Sequence, residues 1–273
     1  MRLLITKHGV GRWAAHYLCK KISNAQPTAT KPFVLGLPTG STPLDMYKEL
    51  IKLYQMNKLS FKNVITFNMD EYVGLSKEHL QSYNYYMHKN FFDHIDINRN
   101  NVHILNGNAE NLEQECLDFE SKIKEHGGID LMFGGVGEDG HIAFNEPGSS
   151  LNSITRVKTL NHSTIVANAR FFNHSVTDTP KLALTMGIKT IMDAKEVVIL
   201  AKGVVKSTAV YSAIEGAITS MSPVSALQLH NKAVVVCDEH AAYELKLKTI
   251  RYFDAIEDDY SLIENKIETK TIK

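Results

Sequence analysis

Residues 129–147, which read IDLMFGGVGEDGHIAFNEP, guide the interpretation of the rest of the chain. The first five, 129–133, form a short and mostly apolar run that is typical of a buried strand. The glycines that follow allow the backbone to turn sharply and to come close to a ligand. We therefore predict a strand that ends in a ligand-binding turn.

Three side chains suited to acid–base chemistry follow that turn, namely Asp139, His141 and Glu146. A histidine between two carboxylates suits proton transfer, because one carboxylate can fix the imidazole tautomer while the other ring nitrogen acts on a substrate. The alternative is a polar loop with a solvated histidine, which such residues often form. We interpret the stretch as an acid–base site at the end of a strand.

The rest of the chain alternates between apolar runs and helical patterns. Further strands are predicted at 3–5, 32–37, 63–69, 102–105, 196–201 and 233–237. Helices are predicted at 11–22, 43–54, 82–92, 111–126, 203–217 and 241–253. This alternation predicts a Rossmann-like α/β fold, a three-layer sandwich with a mostly parallel central sheet flanked by helices.

Composition argues against several classes of protein. Lys plus Arg and Asp plus Glu balance at 30 each, so the chain lacks the basic field of a nucleic-acid-binding protein. Its 3 cysteines have no CxxC spacing and are typical of reduced thiols in the cytoplasm. No apolar run approaches the length of a membrane span, and the first residues lack a signal-peptide core. We expect a cytoplasmic protein without a nucleic-acid or membrane partner.

The domain organisation is predicted to be simple. We expect one α/β domain over 1–253, followed by a charged C-terminal tail over 254–273. Within the domain, residues 148–181 are polar and have no strong period. A long, weakly patterned segment inside a compact domain is typically a lid or a binding loop. We therefore predict a lid at about 150–185.

A second turn has the composition of an anion site. It follows the predicted strand 32–37 and contains Thr39, Gly40, Ser41 and Thr42 before Pro43. Ser41 or Thr42 can cap a helix that has Pro43 at its first position. Free backbone N–H groups at such a helix end favour phosphate, and without a P-loop lysine we predict a sugar-phosphate-sized anion rather than a nucleotide. The alternative is an ordinary capping turn.

A carboxylate pair stands where the strand 63–69 is predicted to end. Asp70 and Glu71 follow it directly. The carboxyl ends of strands in open α/β sheets line the ligand crevice, which favours a functional role. Acidic residues also commonly begin solvated turns, so the residues alone leave both interpretations open.

Together these motifs resemble the glucosamine-6-phosphate deaminase family, also called glucosamine-6-phosphate isomerase. The resemblance covers nearly the whole chain, and the matching stretches are 35–43, 66–72, 90–92, 134–147 and 169–172. The 6-phosphogluconolactonases share the fold and some turns with this family. The Asn-Met-Asp-Glu-Tyr block found here at 68–72 is not among the features that they share with it.

The resemblance implies a reaction in amino-sugar catabolism. Glucosamine 6-phosphate and water are converted to fructose 6-phosphate and ammonia, without a metal or an organic cofactor. His141 is implied to open the pyranose ring with support from Asp139 and Glu146, and Asp70 to take the C2 proton. The implied ligands of the substrate phosphate are Thr39, Gly40, Ser41, Thr42, Arg170 and Lys206.

The resemblance also implies allosteric regulation in a homohexamer, with N-acetylglucosamine 6-phosphate as an activator that binds between subunits. The positions that match the activator site are Ser149, Arg156, Lys158, Thr159 and Tyr252. The chain departs from the family nearby, because Ile154 stands where arginine is usual and Thr-Ser-Met-Ser-Pro occupies 219–223. These departures concern regulation and subunit contacts rather than the catalytic positions.

Two other functions compete with the deaminase. One is a sugar-phosphate lactonase or isomerase on the same fold, which ammonia release would separate from a deaminase. The other is a non-catalytic regulator that binds sugar phosphates. The intact set of Asp70, Asp139, His141 and Glu146 argues against the regulator, because a pure binder has little use for a base placed at C2.

Overall fold

The computed structural model of this protein describes residues 1–257, and the last part of the predicted tail lies outside them. The strands are β1 (Arg2–Ile5), β2 (Phe33–Leu37), β3 (Val64–Asn68), β4 (Asp70–Tyr72), β5 (Val102–His103), β6 (Leu131–Gly135), β7 (Arg156–Thr159), β8 (Leu182–Thr185), β9 (Val197–Ala201) and β10 (Ala233–Cys237). The α-helices are α1 (Val10–Ala25), α2 (Leu44–Gln55), α3 (Tyr83–Asn90), α4 (Leu112–Glu125), α5 (His162–Asn168), α6 (Ile188–Met192), α7 (Ser207–Ile214) and α8 (Leu247–Ile256).

The central sheet has 7 strands in the order β1-β10-β9-β6-β2-β3-β5. Every neighbouring pair in it is parallel. Parallel strands that are covered on both faces are apolar throughout, which explains why residues of β2, β3, β9 and β10 are all buried. The predicted α/β sandwich with a mostly parallel sheet is confirmed.

Helices cover both faces of this sheet and form two apolar cores. One core contains residues of α1, α2 and α3, and Phe91 within it stacks on Tyr47 and meets Phe61 edge-on. The other contains residues of α4 and α7, including Phe119 and Val210. Side chains of the strands alternate between the two cores, as the pleat of a sheet requires.

A second sheet, which the sequence did not predict, stands beside the first. It has 3 antiparallel strands in the order β4-β8-β7. The chain leaves the central sheet at Met69, whose N–H donates to Leu37 and whose carbonyl accepts from Met186. The run 63–72, which reads as one strand with polar residues at its end, is therefore two strands in different sheets.

The segment predicted as a lid has regular structure of its own. It contains β7, α5, a 3₁₀ turn at Ala169–Phe171 and the start of β8. These pieces have 4, 7, 3 and 4 residues, too few to produce a periodic sequence signal. Whether the segment moves as a lid stays a prediction.

Several predicted boundaries differ from the structure, including the two that follow. Gly134 and Gly135 are the last residues of β6, so the turn begins two residues later than predicted. The last helix runs over Leu247–Ile256 instead of 241–253, because Asp238 accepts the N–H of Ala241 and holds the preceding residues in turns. No helix over residues 1–257 combines the length and apolarity that crossing a membrane requires.

Candidate active site

The order of the central sheet brings the predicted motifs to one edge. Strands β9, β6, β2 and β3 are consecutive neighbours and run parallel, so their carboxyl ends lie side by side. The turn 39–42 follows β2, Asp70 follows β3, Asp139 and His141 follow β6, and Lys206 follows β9. This edge is where open α/β sheets bind their ligands.

Asp139 and His141 form the hydrogen-bonded pair that the sequence predicted. The distance from His141 Nδ1 to Asp139 Oδ1 is 2.6 Å, and the His141 backbone N–H donates to the same oxygen at 3.1 Å. The hydrogen bond from His141 lowers the pKa of the Asp139 carboxyl, which keeps it ionised. Because an ionised carboxylate only accepts, Nδ1 is the donor and Nε2 is left for a substrate.

Two glycines of this loop, Gly137 and Gly140, occupy positions where a larger side chain would clash or strain the backbone. A Cβ at Gly137 would lie 2.1 Å from the Cε1 atom of His141, so only glycine lets the backbone pass this close to the ring. Gly140 has φ of 85°, a left-handed conformation that glycine adopts without strain. The loop therefore holds the imidazole against its own backbone.

Glu146 occupies a different part of the site from the one its sequence position suggested. It is buried and accepts hydrogen bonds from the Asn161 backbone and the Thr164 hydroxyl. Lys158 Nζ lies 3.4 Å from its other oxygen. In the described part of the chain, Glu146 shares no hydrogen bond with His141. Its visible contacts tie the loop after β6 to β7 and to the start of α5.

Asp70 is a buried carboxyl group, and one of its oxygen atoms lacks a hydrogen-bond partner in the described part of the chain. The residue is 7% exposed, and within residues 1–257 its Oδ1 atom accepts no hydrogen bond. Burial raises the pKa of Asp70 to about 8, and the neighbouring charge of Glu71 adds to the increase. A buried polar atom without a partner costs free energy, so its presence here indicates a site that a ligand completes.

The turn 39–42 differs in detail from its prediction. Pro43 precedes the helix as its N-cap residue, with φ of −79° and ψ of −7°, and no side chain caps α2. The predicted cap by Ser41 or Thr42 is therefore wrong. Gly40 has φ of 95°, and its carbonyl accepts the Tyr86 hydroxyl. The hydroxyls of the turn remain available to a ligand.

Two cations lie near the acid–base pair, Lys206 close to Asp139 and Arg170 close to Lys206. Arg170 is exposed in the turn Ala169–Phe171, with its guanidinium 4.7 Å from the Phe171 ring centroid. Burial lowers the pKa of Lys206, with Glu138 and Asp139 acting against that decrease and Arg170 adding to it. Lys206 is therefore within electrostatic reach of both Asp139 and Arg170. Over residues 1–257, neither cation forms a salt bridge with a carboxylate.

Comparison with known proteins agrees with this geometry. The sequence profile of the family described as glucosamine-6-phosphate isomerases/6-phosphogluconolactonase matches residues 6–236. The chain belongs to this family. The resemblance predicted from the motifs is confirmed.

Individual family members are similar over most of the chain. The glucosamine-6-phosphate deaminase of Glaesserella parasuis serovar 5 (strain SH0165) is 60% identical over 91% of this chain and 94% of its own. A structure of a monomeric glucosamine-6-phosphate deaminase has 42% identity and a TM-score of 0.83, covering 89% of this chain and 99% of its own. The 6-phosphogluconolactonase from Trypanosoma cruzi, at 21% identity and a TM-score of 0.66 over 90% of this chain and 97% of its own, shares the fold.

The positions that match the family's activator site are only partly assembled within one chain. Arg156 and Lys158 lie two residues apart on β7, and both contact the loop after β6. Arg156 donates to Asn145 Oδ1 at 2.9 Å, and Lys158 lies beside Glu146. The Ser149 hydroxyl is buried and has no partner in the part of the chain described. Thr159 is exposed, and Tyr252 is exposed on α8, which packs on β1.

The sequence left the role of Glu71 open and did not single out Asn145. Glu71 accepts three backbone N–H bonds, including two from the start of α3. Asn145 is fully buried, and its amide donates to Ile142 and Met186 while its oxygen accepts from Arg156. Most of their partners are distant in sequence, so adjacency to Asp70 and Glu146 was the main available signal. No group of three or more His, Cys, Asp or Glu side chains in residues 1–257 is arranged to hold a metal ion.

Replacing Gly137 with Ala should displace the His141 ring, because the new Cβ would overlap ring atoms. The hydrogen bond to Asp139 should then weaken, which the ring ¹⁵N chemical shifts of His141 report through its tautomer. Gly135→Ala is the matched control, since a Cβ there meets no atom within 4 Å. Unchanged His141 shifts in Gly137→Ala would contradict the steric role of this glycine.

Proposed function

We propose that this chain catalyses the aldose–ketose isomerisation and deamination of glucosamine 6-phosphate, giving fructose 6-phosphate and ammonia. The observation that carries the proposal is the buried carboxyl group of Asp70, whose Oδ1 atom has no hydrogen-bond partner within residues 1–257. It lies at the same sheet edge as the Asp139–His141 pair and Lys206. Relatives of high identity that bear the deaminase name support the choice of substrate.

The first step is opening of the sugar ring. A C–H bond becomes acidic only beside a carbonyl group, so the pyranose must open before C2 can lose its proton. The Nε2 atom of His141 relays the proton from the C1 hydroxyl to the ring oxygen, since Nδ1 is committed to Asp139. Asp139 holds the ring in this tautomer and stabilises the imidazolium that forms.

Asp70 then transfers the proton between carbons. It takes the proton from C2, which leaves an enolamine with a double bond between C1 and C2. A proton is then delivered to C1. The resulting C2 iminium adds water and releases ammonia, which leaves the ketone of fructose 6-phosphate. A carboxyl group with a pKa of about 8 is a far stronger base than an ordinary aspartate, and buried surroundings strengthen its interaction with the substrate.

The phosphate positions the sugar for both steps. The turn 39–42 supplies hydroxyl and backbone donors, while Arg170 and Lys206 supply two positive charges close to each other. Holding a substrate in a reactive orientation can lower a barrier by several kcal/mol. We propose that this chemistry needs no metal and no organic cofactor, and that chelator treatment leaves the rate unchanged.

Detection of both products tests the proposal most simply. Purified protein incubated with glucosamine 6-phosphate should release ammonia and fructose 6-phosphate in equal amounts. The parallel reaction with 6-phosphogluconolactone should proceed no faster than the uncatalysed hydrolysis. Lactone hydrolysis without ammonia release would favour a lactonase, and binding of the amino sugar phosphate without turnover would favour a regulator.

Asp70→Asn should abolish turnover while substrate binding persists, because an amide nearly preserves the shape but takes no proton. In the unsubstituted protein, kcat/KM should rise with pH through about 8, since the base acts in its ionised form. Asp193→Asn, an exposed aspartate paired with Lys189, is the matched control and should retain full activity. Normal deamination by Asp70→Asn would remove Asp70 from the mechanism.

Arg170→Ala should mainly raise KM, because phosphate contacts far from the reacting carbon are similar in the ground and transition states. Steady-state kinetics at fixed pH measure the split between KM and kcat. Arg99→Ala, which removes an exposed arginine paired with Asp93, is the control and should change neither constant. A large loss of kcat with an unchanged KM would show that Arg170 acts in closure or chemistry instead.

Regulation by an anion forms the second part of the proposal. We infer that N-acetylglucosamine 6-phosphate binds at Ser149, Arg156, Lys158 and Thr159, with Tyr252 supplied by a neighbouring subunit of a homohexamer. The buried and unpartnered Ser149 hydroxyl supports a ligand there. Free cysteines over residues 1–257 agree with a reducing cytoplasm, where we place this step of amino-sugar use.

The activator should lower the substrate concentration for half-maximal rate, by a coupling free energy of about 1–3 kcal/mol. Ser149→Ala should weaken this effect and keep the maximal rate, because its hydroxyl has no partner to lose. Arg156→Ala should remove activation but also frees Asn145, so its maximal rate falls as well. Light scattering gives the subunit number, and a monomer with identical hyperbolic curves would contradict this part of the proposal.

A further inference from the structure

Glu71 is a buried carboxylate whose hydrogen bonds all come from backbone N–H groups. Its Oε1 atom accepts from Tyr72 at 2.8 Å and from Tyr83 at 2.9 Å, and its Oε2 atom accepts from Asn84 at 2.8 Å. The residue is 4% exposed. Burial raises the pKa of Glu71, and the three backbone hydrogen bonds act against that increase by favouring the ionised form. Hydrogen bonds to an ionised acceptor are about twice as strong as neutral ones, so Glu71 anchors α3 to β4.

The anchor completes the N-terminus of α3. The first helical N–H groups have no partners inside a helix and need an acceptor. Ser82 accepts from Tyr85, and Glu71 accepts from Tyr83 and Asn84. The carboxylate also lies at the positive end of the helix dipole. Glu71 therefore fixes where α3 begins relative to Asp70, its neighbour in β4.

Helix α3 contacts two other parts of the site, so its position affects both of them. The Tyr86 hydroxyl donates to the Gly40 carbonyl in the proposed phosphate turn. The Tyr83 ring stacks on the ring of Phe144, with centroids 6.1 Å apart. Phe144 belongs to the loop that carries His141. One carboxylate thus connects the base, the phosphate turn and the acid–base loop.

Glu71 is also the charged neighbour of Asp70. Phenol groups of Tyr47 on α2, Tyr72 on β4 and Tyr83 on α3 face the same carboxyl, and burial raises the pKa of each, so they stay neutral. On β8, the residue paired with Asp70 is Thr185, which does not titrate. Apart from burial itself, the charge of Glu71 is the cause that raises the pKa of Asp70.

We propose that Glu71 is a positioning residue of this active site, which fixes the placement of Asp70 and keeps a second carboxyl group beside it without touching the reacting atoms. The inference rests on the proposed function for its kinetic test. A purely structural cap would also stabilise α3, but its removal would leave the ionisation of Asp70 unchanged. The pH profile therefore separates the two roles.

Glu71→Gln removes the charge and keeps the shape. The acid limb of kcat/KM should move to lower pH by about one unit, because loss of a like charge favours the ionised form of Asp70. KM should rise several-fold as the turn 39–42 loosens. The matched control is Glu196→Gln, which removes a buried carboxylate bonded to Tyr17 and Lys21 at the opposite end of the sheet. The acid limb of the control should stay in place.

Glu71→Asp keeps the charge and shortens the side chain. This variant should leave the acid limb near its original pH while raising KM, and it serves if Glu71→Gln does not fold. Carboxyl ¹³C NMR titration, with the Asp70 signal identified by its loss in Asp70→Asn, measures the same ionisation without turnover. Absent deamination would overturn the proposed function, whereas an Asp70 titration unaffected by Glu71→Gln would overturn the role of Glu71.

Discussion

The site depends on one constraint, which is that β9, β6, β2 and β3 are consecutive, parallel strands of the central sheet. Because these strands run in one direction, the loops that follow them leave the same edge of the sheet. Residues that are 30 or more positions apart along the chain, such as Asp70 and His141, are thereby held near each other without any direct bond between them. The apolar strands stabilise the arrangement, and the loops supply its chemistry.

The polar groups at this edge divide into two electrostatic environments. Asp139 is partly exposed and is bonded to His141, which lowers its pKa. Asp70 is buried beside another carboxylate, which raises its pKa to about 8. Two carboxyl groups whose pKa values are shifted in opposite directions are suited to different tasks. One orients an imidazole, and the other exchanges a proton. Burial of Glu71 is stabilised by its three backbone donors, whereas Asp70 has no such compensation within the described residues.

Local spacing was sufficient to predict the parts of the fold and site that lie close together in the sequence. The apolar runs identified the strands of the central sheet, and the cluster of Asp139, His141 and Glu146 predicted that a carboxylate would bond the imidazole, without deciding which one. Prediction failed where the partner is remote. The pairing of β4 with β8 and the contacts of Glu71 with α3 depend on residues 12 to 115 positions away, which no local pattern records. Glu146 was assigned by proximity to His141, but its partners lie in the following segment, at Asn161 and Thr164.

The central claim is that Asp70 carries a proton between C2 and C1, and the fate of that hydrogen tests it most directly. Glucosamine 6-phosphate deuterated at C2 can be converted in ordinary water and the fructose 6-phosphate analysed by NMR. The account predicts deuterium at C1 in less than full amount, with the remainder lost to solvent from the carboxyl group. Transfer of deuterium to C1 at an undiminished rate in Asp70→Asn would indicate a route that bypasses this carboxyl group and would contradict the role of Asp70.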